Sequence, residues 1–240
     1  MNPHMTIKLL TFDLDDTLWD VKSIVLRADA MMRDWIRVRH AEFASRFDFR
    51  DFSGLRDAVL RERQDIAHDF TQLRLEVLRR AFVQGGYTSE QAEDAAQGAF
   101  AEFFRGRNTV EFFPDAIEVL AGLRRDYELH ALSNGTADIQ LIGLGHIFSR
   151  HFSAISVGAP KPDPRMYLAA IAAAGIEPGE AIHIGDHPEQ DMAAAAAVGM
   201  KTVWVNFQKQ AWPERFPSPD GEIRAFSELR PLVRRLGRQA

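Results

Sequence analysis

The chain of 240 residues contains no cysteine. That absence excludes a disulfide scaffold, a Cys-ligated zinc site and a thiol nucleophile. Nothing in it approaches the ~18 uninterrupted apolar residues of a membrane-spanning helix. The opening Met1-Asn2-Pro3-His4-Met5-Thr6-Ile7-Lys8 holds no apolar run of the cleavable signal type. A soluble cytoplasmic protein with no membrane partner is therefore expected. A basic excess is missing too: 29 Lys and Arg stand against 34 Asp and Glu, a net charge of -5. A dedicated nucleic-acid binder usually carries a basic face, so no nucleic-acid partner is expected. Internal repeats and low-complexity tracts are absent, and no Gly-x-Gly-x-x-Gly follows the first apolar run. The latter excludes a dinucleotide-binding oxidoreductase.

What is present is enough for a well-buried core, since a chain of this size buries roughly 70–75% of its unfolded surface. Short apolar runs occupy residues 7–12, 129–132, 152–157, 181–184 and 201–207. Each has strand length, and continuous apolar runs suit parallel strands covered on both faces. Helical patterns separate them from residue 113 onward. Ile117, Leu120 and Leu123 form one stripe; Tyr167, Ile171 and Ala174 form another. The second is opened by Asp163-Pro164, read as N-cap and first helical position, and closed by Gly175. A C-terminal helix is expected over residues 227–236, after a proline-rich loop at 212–219. Alternating strand and helix predicts an α/β fold with a doubly wound parallel sheet.

Residues 21–110 have a different texture, with 15 basic and 14 acidic residues and no strand signal. Ile24, Ala28, Met31, Trp35 and Val38 recur at helical spacing, as do Leu75, Leu78 and Phe82, and Ala92, Ala96, Ala99 and Phe103. Thr88 and Gln91 form a capping box before the last of these. The pattern predicts a smaller all-helical domain over 21–110, inserted after the first strand of a core formed by 1–20 and 111–240.

The chemistry lies at the strand ends. Phe12-Asp13-Leu14-Asp15-Asp16-Thr17-Leu18-Trp19 sets three carboxylates within four positions directly after an apolar strand. Ligands of open parallel sheets bind beyond the carboxyl ends of strands. Charges of one sign packed so tightly make sense beside a cation. The second core strand ends Ser133-Asn134-Gly135, offering a hydroxyl and backbone N–H groups to an oxyanion. The third leads into Pro160-Lys161-Pro162, which holds the only lysine between Lys22 and Lys201. The fourth ends Gly185-Asp186-His187-Pro188-Glu189-Gln190-Asp191. An oxygen-only site of this kind suits Mg²⁺, which keeps waters and leans on substrate phosphate. His187 reads as a surface histidine at a helix start.

These four motifs, in this order, resemble the haloacid-dehalogenase (HAD) superfamily of phosphotransferases. The resemblance implies a Rossmann-like core with a helical cap and a hydrolase of small phosphate esters working through an aspartyl-phosphate. It makes Asp13 the nucleophile and Asp15 the general acid/base. Thr17, Ser133, Asn134 and Lys161 become phosphate-binding residues. Mg²⁺ falls to Asp13, Asp186, Asp191 and the backbone carbonyl of Asp15. Dehalogenases of the superfamily lack the second aspartate, and its mutases usually carry glycine at the place of Asp16, so a phosphatase is expected.

His68-Asp69, Thr71, Arg74, Gly143-Leu144-Gly145 and Lys161-Pro162 with Met166-Tyr167-Leu168 resemble the bacterial flavin mononucleotide phosphatase group. That group also acts on 5-amino-6-(5-phospho-D-ribitylamino)uracil. Gly158-Ala159-Pro160 is shorter than that group's segment before the lysine. Other phosphorylated metabolites (a nucleotide, a sugar phosphate, phosphoglycolate) stay open as substrates. Trp19, Thr71 and Arg74 are candidate substrate contacts: Trp19 by stacking on a planar substrate or by packing the hinge, Arg74 at a cleft edge. A receiver-type phospho-aspartate module is disfavoured, being about half this length and lacking an acid/base two residues past the acceptor. A monomer or homodimer is expected.

Overall fold

A computed structural model of the chain describes residues 6–238. The chain divides into two compact units: residues up to Asp20 with those from Glu111 onward, and Val21–Val110.

The first unit is built on six parallel strands: β1 (Leu9–Phe12), β2 (Glu128–Ser133), β3 (Arg150–Ser153), β4 (Ala181–Gly185), β5 (Lys201–Val205) and β6 (Gly221–Ile223). Their order across the sheet is β3-β2-β1-β4-β5-β6. The chain steps outward from β1 through β2 to β3, then returns to the other side of β1 and steps outward again. The reversal falls between β1 and β4, where such sheets open a crevice at their carboxyl ends. Phe12 is level with Ala131 of β2 and Ile184 of β4, so the ends of three strands arrive together. β1 is buried at every position, as a central strand covered on both faces requires. One side of the sheet packs Leu9, Leu132, Met166, Tyr167, Ala170 and Met200 into a single apolar cluster. The α/β doubly wound parallel sheet expected from the sequence is the observed fold.

The second unit is helical. It contains α1 (Val21–Arg39), α2 (Ala41–Arg46), α3 (Asp51–Glu62), α4 (Phe70–Gln84) and α5 (Ser89–Arg107). Its core gathers Ala28, Met32, Ile36, Phe43, Phe82, Ala92, Ala96, Ala99 and Phe103. Phe43 and Phe82 meet with ring centroids 4.5 Å apart. Burying side chains of this size contributes roughly 1.5–3 kcal/mol each. The Thr88 capping box forms reciprocally, at 3.0 and 3.3 Å.

Four local expectations are corrected. The buried stripe of α1 is Ile24, Ala28, Met32 and Ile36: the first two positions are as expected, the last two lie one step past Met31 and Trp35, and Val38 is 78% exposed. In α6 (Ala116–Leu123) the buried positions are Ala116, Leu120 and Leu123, and Ile117 faces outward. The run at 152–157 is not one strand. β3 stops at Ser153, whose side chain and that of Ser156 cap each other's amides and start α7 (Ala154–Val157). The local hydroxyl bonds win over the β-branched run. Finally, α8 (Arg165–Ala174) begins one residue later than expected, yet Asp163 still caps it by accepting the Arg165 N–H at 3.0 Å. β6 was not legible, being three residues at the sheet edge. The chain continues through a π-helical turn (Pro188–Ala193) into α9 (Ala194–Ala197) and closes with α10 (Leu229–Leu236). Among the described residues no helix is long and apolar enough to cross a membrane.

Candidate active site

Asp13 is the first residue past β1, and its N–H donates to the carbonyl of Ile184 at 2.9 Å, continuing the strand pairing by one step. Its side chain is thereby delivered to the crevice between β1 and β4. Lys161 reaches the same place from the loop between α7 and α8. Its Nζ donates to Asp13 Oδ1 and to Asp191 Oδ1, both at 2.6 Å. All three side chains are almost fully buried. Asn134 fixes that loop: its Oδ1 accepts the Lys161 N–H at 2.7 Å and its Nδ2 donates to the Lys161 carbonyl at 2.9 Å. The Asn134 side chain is therefore a clamp on the lysine. Any contact it makes with an anion falls to its backbone N–H.

Asp191 is held from two more sides. The His187 N–H donates to its Oδ2 at 2.9 Å, and buried His183 lies against its Oδ1 at 3.2 Å. Asp191 approaches so closely because position 185 has no Cβ; one added there would lie 2.5 Å from Asp191 Cγ. Asp186 receives the Thr17 hydroxyl at 3.3 Å, and its carbonyl receives Trp204 Nε1 at 2.8 Å. Thr17 thus stands beside a carboxylate. Ser133, at the end of β2, is buried and takes the Gly135 N–H at 3.0 Å, which tightens the turn after the strand.

Electrostatics follow from this burial. Desolvation raises the Asp13 carboxyl to about 7 although Lys161 pulls it down, with Asp191 and Asp15 adding to the rise. Asp186 goes up to about 8, first by burial and then by the neighbouring carboxylates. Asp191 moves the other way: burial opposes its charge, but Lys161 and His183 hold it well below the usual carboxylate range. Burial works against the Lys161 ammonium, and Asp13 and Asp191 overcome it and hold it charged.

Asp13, Asp186 and Asp191 each offer an oxygen within 4.8 Å of the others. Three carboxylates against one ammonium leave two negative charges when all are ionised. A divalent cation closes that balance, and an all-oxygen donor set is the kind Mg²⁺ takes.

A family model described as haloacid dehalogenase-like hydrolase matches residues 7–199. The chain belongs to the haloacid dehalogenase-like hydrolases. It is 31% identical over 235 residues, 96% of this chain and 98% of the other, to the Escherichia coli K12 protein named 5-amino-6-(5-phospho-D-ribitylamino)uracil phosphatase YigB. It is 37% identical over 138 residues to a phosphoserine phosphatase of Thermus thermophilus, covering 54% of this chain and 53% of that one. A solved structure titled 2-haloacid dehalogenase, from Pseudomonas syringae, superposes with a TM-score of 0.90 at 36% identity, covering 95% of this chain and 99% of that one. Proteins bearing phosphatase names and one bearing a dehalogenase name are thus similar to this chain.

The residues singled out as candidate substrate contacts have the following surroundings. Trp19 is fully buried and edge-on to Phe112, so its ring offers no face for stacking on a planar substrate. The packing alternative describes it. Arg74 is taken up inside the helical unit: it pairs with Asp29 at 2.8 Å and lies over the Phe103 ring, 3.5 Å from its centroid. Thr71 is the second residue of α4, and its N–H donates to the capping Asp69 at 3.0 Å. His187 is exposed and caps the turn after β4, its Nδ1 accepting the N–H groups of Glu189 and Gln190. Sequence reasoning missed Thr11 and His183, which form a buried pair at 2.8 Å beneath Asp191. The available signal was a histidine and a threonine inside otherwise apolar central strands.

Proposed function

We propose that this chain is a Mg²⁺-dependent phosphomonoester hydrolase that works through phosphoryl-Asp13. The observation that carries the reading is the buried Asp13–Lys161–Asp191 ion chain at the end of β1, with a second carboxylate, Asp15, two residues past the first.

Asp13 supplies a carboxylate oxygen to phosphorus as the ester P–O bond breaks. Asp15 gives its proton to the departing alkoxide. Water then attacks phosphorus, its proton passes to Asp15, and the bond from phosphorus to Asp13 breaks. Lys161 and the Asn134 backbone N–H would face the charge on the phosphoryl oxygens, the Gly135 N–H being taken by the Ser133 hydroxyl. Asp13, Asp186, Asp191 and the Asp15 carbonyl would hold Mg²⁺, which supplies further neutralisation of that charge. One general acid/base contributes only about 10²–10⁴ in rate. Positioning and charge neutralisation must supply the rest, as is usual for phosphoryl transfer.

The relative named for 5-amino-6-(5-phospho-D-ribitylamino)uracil spans almost the whole chain and supports that ester as substrate; flavin mononucleotide rests on the motif resemblance of the sequence alone. The second reading, a 2-haloacid dehalogenase, is favoured by the 36%-identical structure. Asp15 and the three-carboxylate cluster weigh against it, because halide departure needs no proton. The test is release of phosphate from a panel of phosphorylated metabolites, with Mg²⁺ and with EDTA, beside release of chloride from 2-chloropropionate. Metal-dependent phosphate release with one leading kcat/KM supports the proposal and names the substrate. Chloride release without phosphate release overturns it.

A further inference from the structure

Trp19 ties the end of the first motif back on itself. Its Nε1 donates to Asp15 Oδ1 at 2.7 Å. Its carbonyl accepts the Asp16 N–H at 2.8 Å, and Leu18 N–H donates to Leu14 O at 2.8 Å. The ring is fully buried, edge-on to Phe112 with centroids 5.7 Å apart, and Trp19 pairs with Phe112 through the backbone as well. The indole is therefore fixed at its ring and its backbone before it meets the carboxylate.

A buried indole N–H needs an acceptor, and a main-chain carbonyl usually suffices. Trp204 uses the Asp186 carbonyl and Trp212 the Phe216 carbonyl. Trp19 instead engages an ionisable side chain at the position where the proposed reaction needs a proton carrier. Indole donates and cannot accept, so it orients a carboxyl without competing for its proton. With Oδ1 taken by the N–H, the exchangeable proton is directed to Oδ2.

We propose that Trp19 is a positioning residue for the reaction: it orients the Asp15 carboxyl so that Oδ2 carries the proton delivered to the leaving group. This rests on the phosphatase reading above. In the step concerned, the bond from Asp13 to phosphorus forms, the ester P–O bond breaks, and the Asp15 proton moves to the leaving oxygen.

The experiment is Trp19→Phe, which keeps an aromatic ring and removes the donor. It is assayed on the best alkyl monophosphate of the panel and on p-nitrophenyl phosphate, whose leaving group departs without a proton. The parameter is kcat/KM, which reports the steps through formation of phosphoryl-Asp13. The alkyl ester should lose about 10–100-fold and p-nitrophenyl phosphate less than about 3-fold, the scale of misplacing one acid catalyst. In an Asp15→Asn background the same substitution should cost nothing further, since the two act as one unit. Equal losses on both esters, no loss on either, or an undiminished loss beside Asp15→Asn overturns the proposal. Should Trp19→Phe fail to fold, β-(3-benzothienyl)alanine at position 19 keeps the bicyclic shape without the N–H and reads the same difference. No phosphate release by the unmodified protein brings down the phosphatase reading and this inference with it. Release without the leaving-group difference brings down this inference alone.

Discussion

His183 meets Asp191 through Nε2 and Oδ1 at 3.2 Å, with no solvent at either side chain. Burial keeps the imidazole neutral, lowering its pKa against the pull of Asp191. A carboxylate only accepts, so Nε2 carries the hydrogen and Nδ1 accepts from the Thr11 hydroxyl at 2.8 Å. Two strands thus set the orientation of a residue in the following turn. Thr11→Val, which removes the hydroxyl at nearly constant volume, leaves Nδ1 buried without a donor. A loss of about 1–3 kcal/mol in urea denaturation is expected, together with roughly 10-fold weaker Mg²⁺ binding by calorimetry, the usual scale for groups that orient a metal ligand.

Asp13→Asn and Asp15→Asn should each lower turnover by about 10³-fold or more, removing nucleophile and proton carrier respectively. Near-normal kcat in either purified variant would contradict the assignment. Asp13→Asn should also abolish ³²P-labelling of the protein in an acid-quenched reaction.

Lys161→Met removes the ammonium that pairs with both Asp13 and Asp191. Breaking a buried ion pair from one side costs about 3–5 kcal/mol. The cost should be larger at pH 8 than at pH 6, where protonation can relieve the stranded carboxylates. Urea titrations at the two pH values check this.

Gly185→Ala puts a Cβ 2.5 Å from Asp191 Cγ, on a strand with little room to shift. Overpacking of this kind costs about 1–3 kcal/mol. Because the displaced atom belongs to Asp191, Mg²⁺ affinity should fall as well, measured by calorimetry beside the melting temperature.

The metal-free protein should lose stability as pH rises. Asp13 and Asp186 hold protons in the folded chain up to about 7 and 8, whereas the unfolded chain releases them near the ordinary value of 3.8. The folded state binds more protons over that window, so stability falls progressively from about pH 4 to 8. Asp191, held low, acts oppositely and costs stability only as pH drops below the ordinary carboxylate range. Melting temperatures in EDTA should decline between pH 5 and 8, each kcal/mol reading as roughly 2–4 °C at this length. Added Mg²⁺ should restore more at pH 8 than at pH 5.

Asp13, Lys161, Asp186 and Asp191, which the structure brings together, were legible because each lies at or just past the end of a strand-length run or in a proline-bracketed loop. The parallel sheet was legible because those runs are continuous rather than alternating. Thr11 and His183 were not, since a polar residue within a strand shows its partner only once the neighbouring strand is placed in register. Trp19 was left between stacking and packing for a related reason: sequence gives a ring's position along the chain, and its burial depends on Phe112, far along it. The one-step error in α1 has a smaller cause. With apolar residues at Met31 and Met32, and at Trp35 and Ile36, two adjacent helical stripes fit almost equally well.

Leu18 and Trp19 pair with Phe112 and Phe113 at the very places where the chain leaves the sheet unit and comes back. The two ends of the helical excursion are therefore stapled together by the sheet unit itself, whatever lies between them. In topological terms Val21–Val110 is a parenthesis that closes where it opened. Such a segment can be exchanged for another of different length without re-threading a single strand, so the reaction chemistry and the helical insert are free to diverge at separate rates.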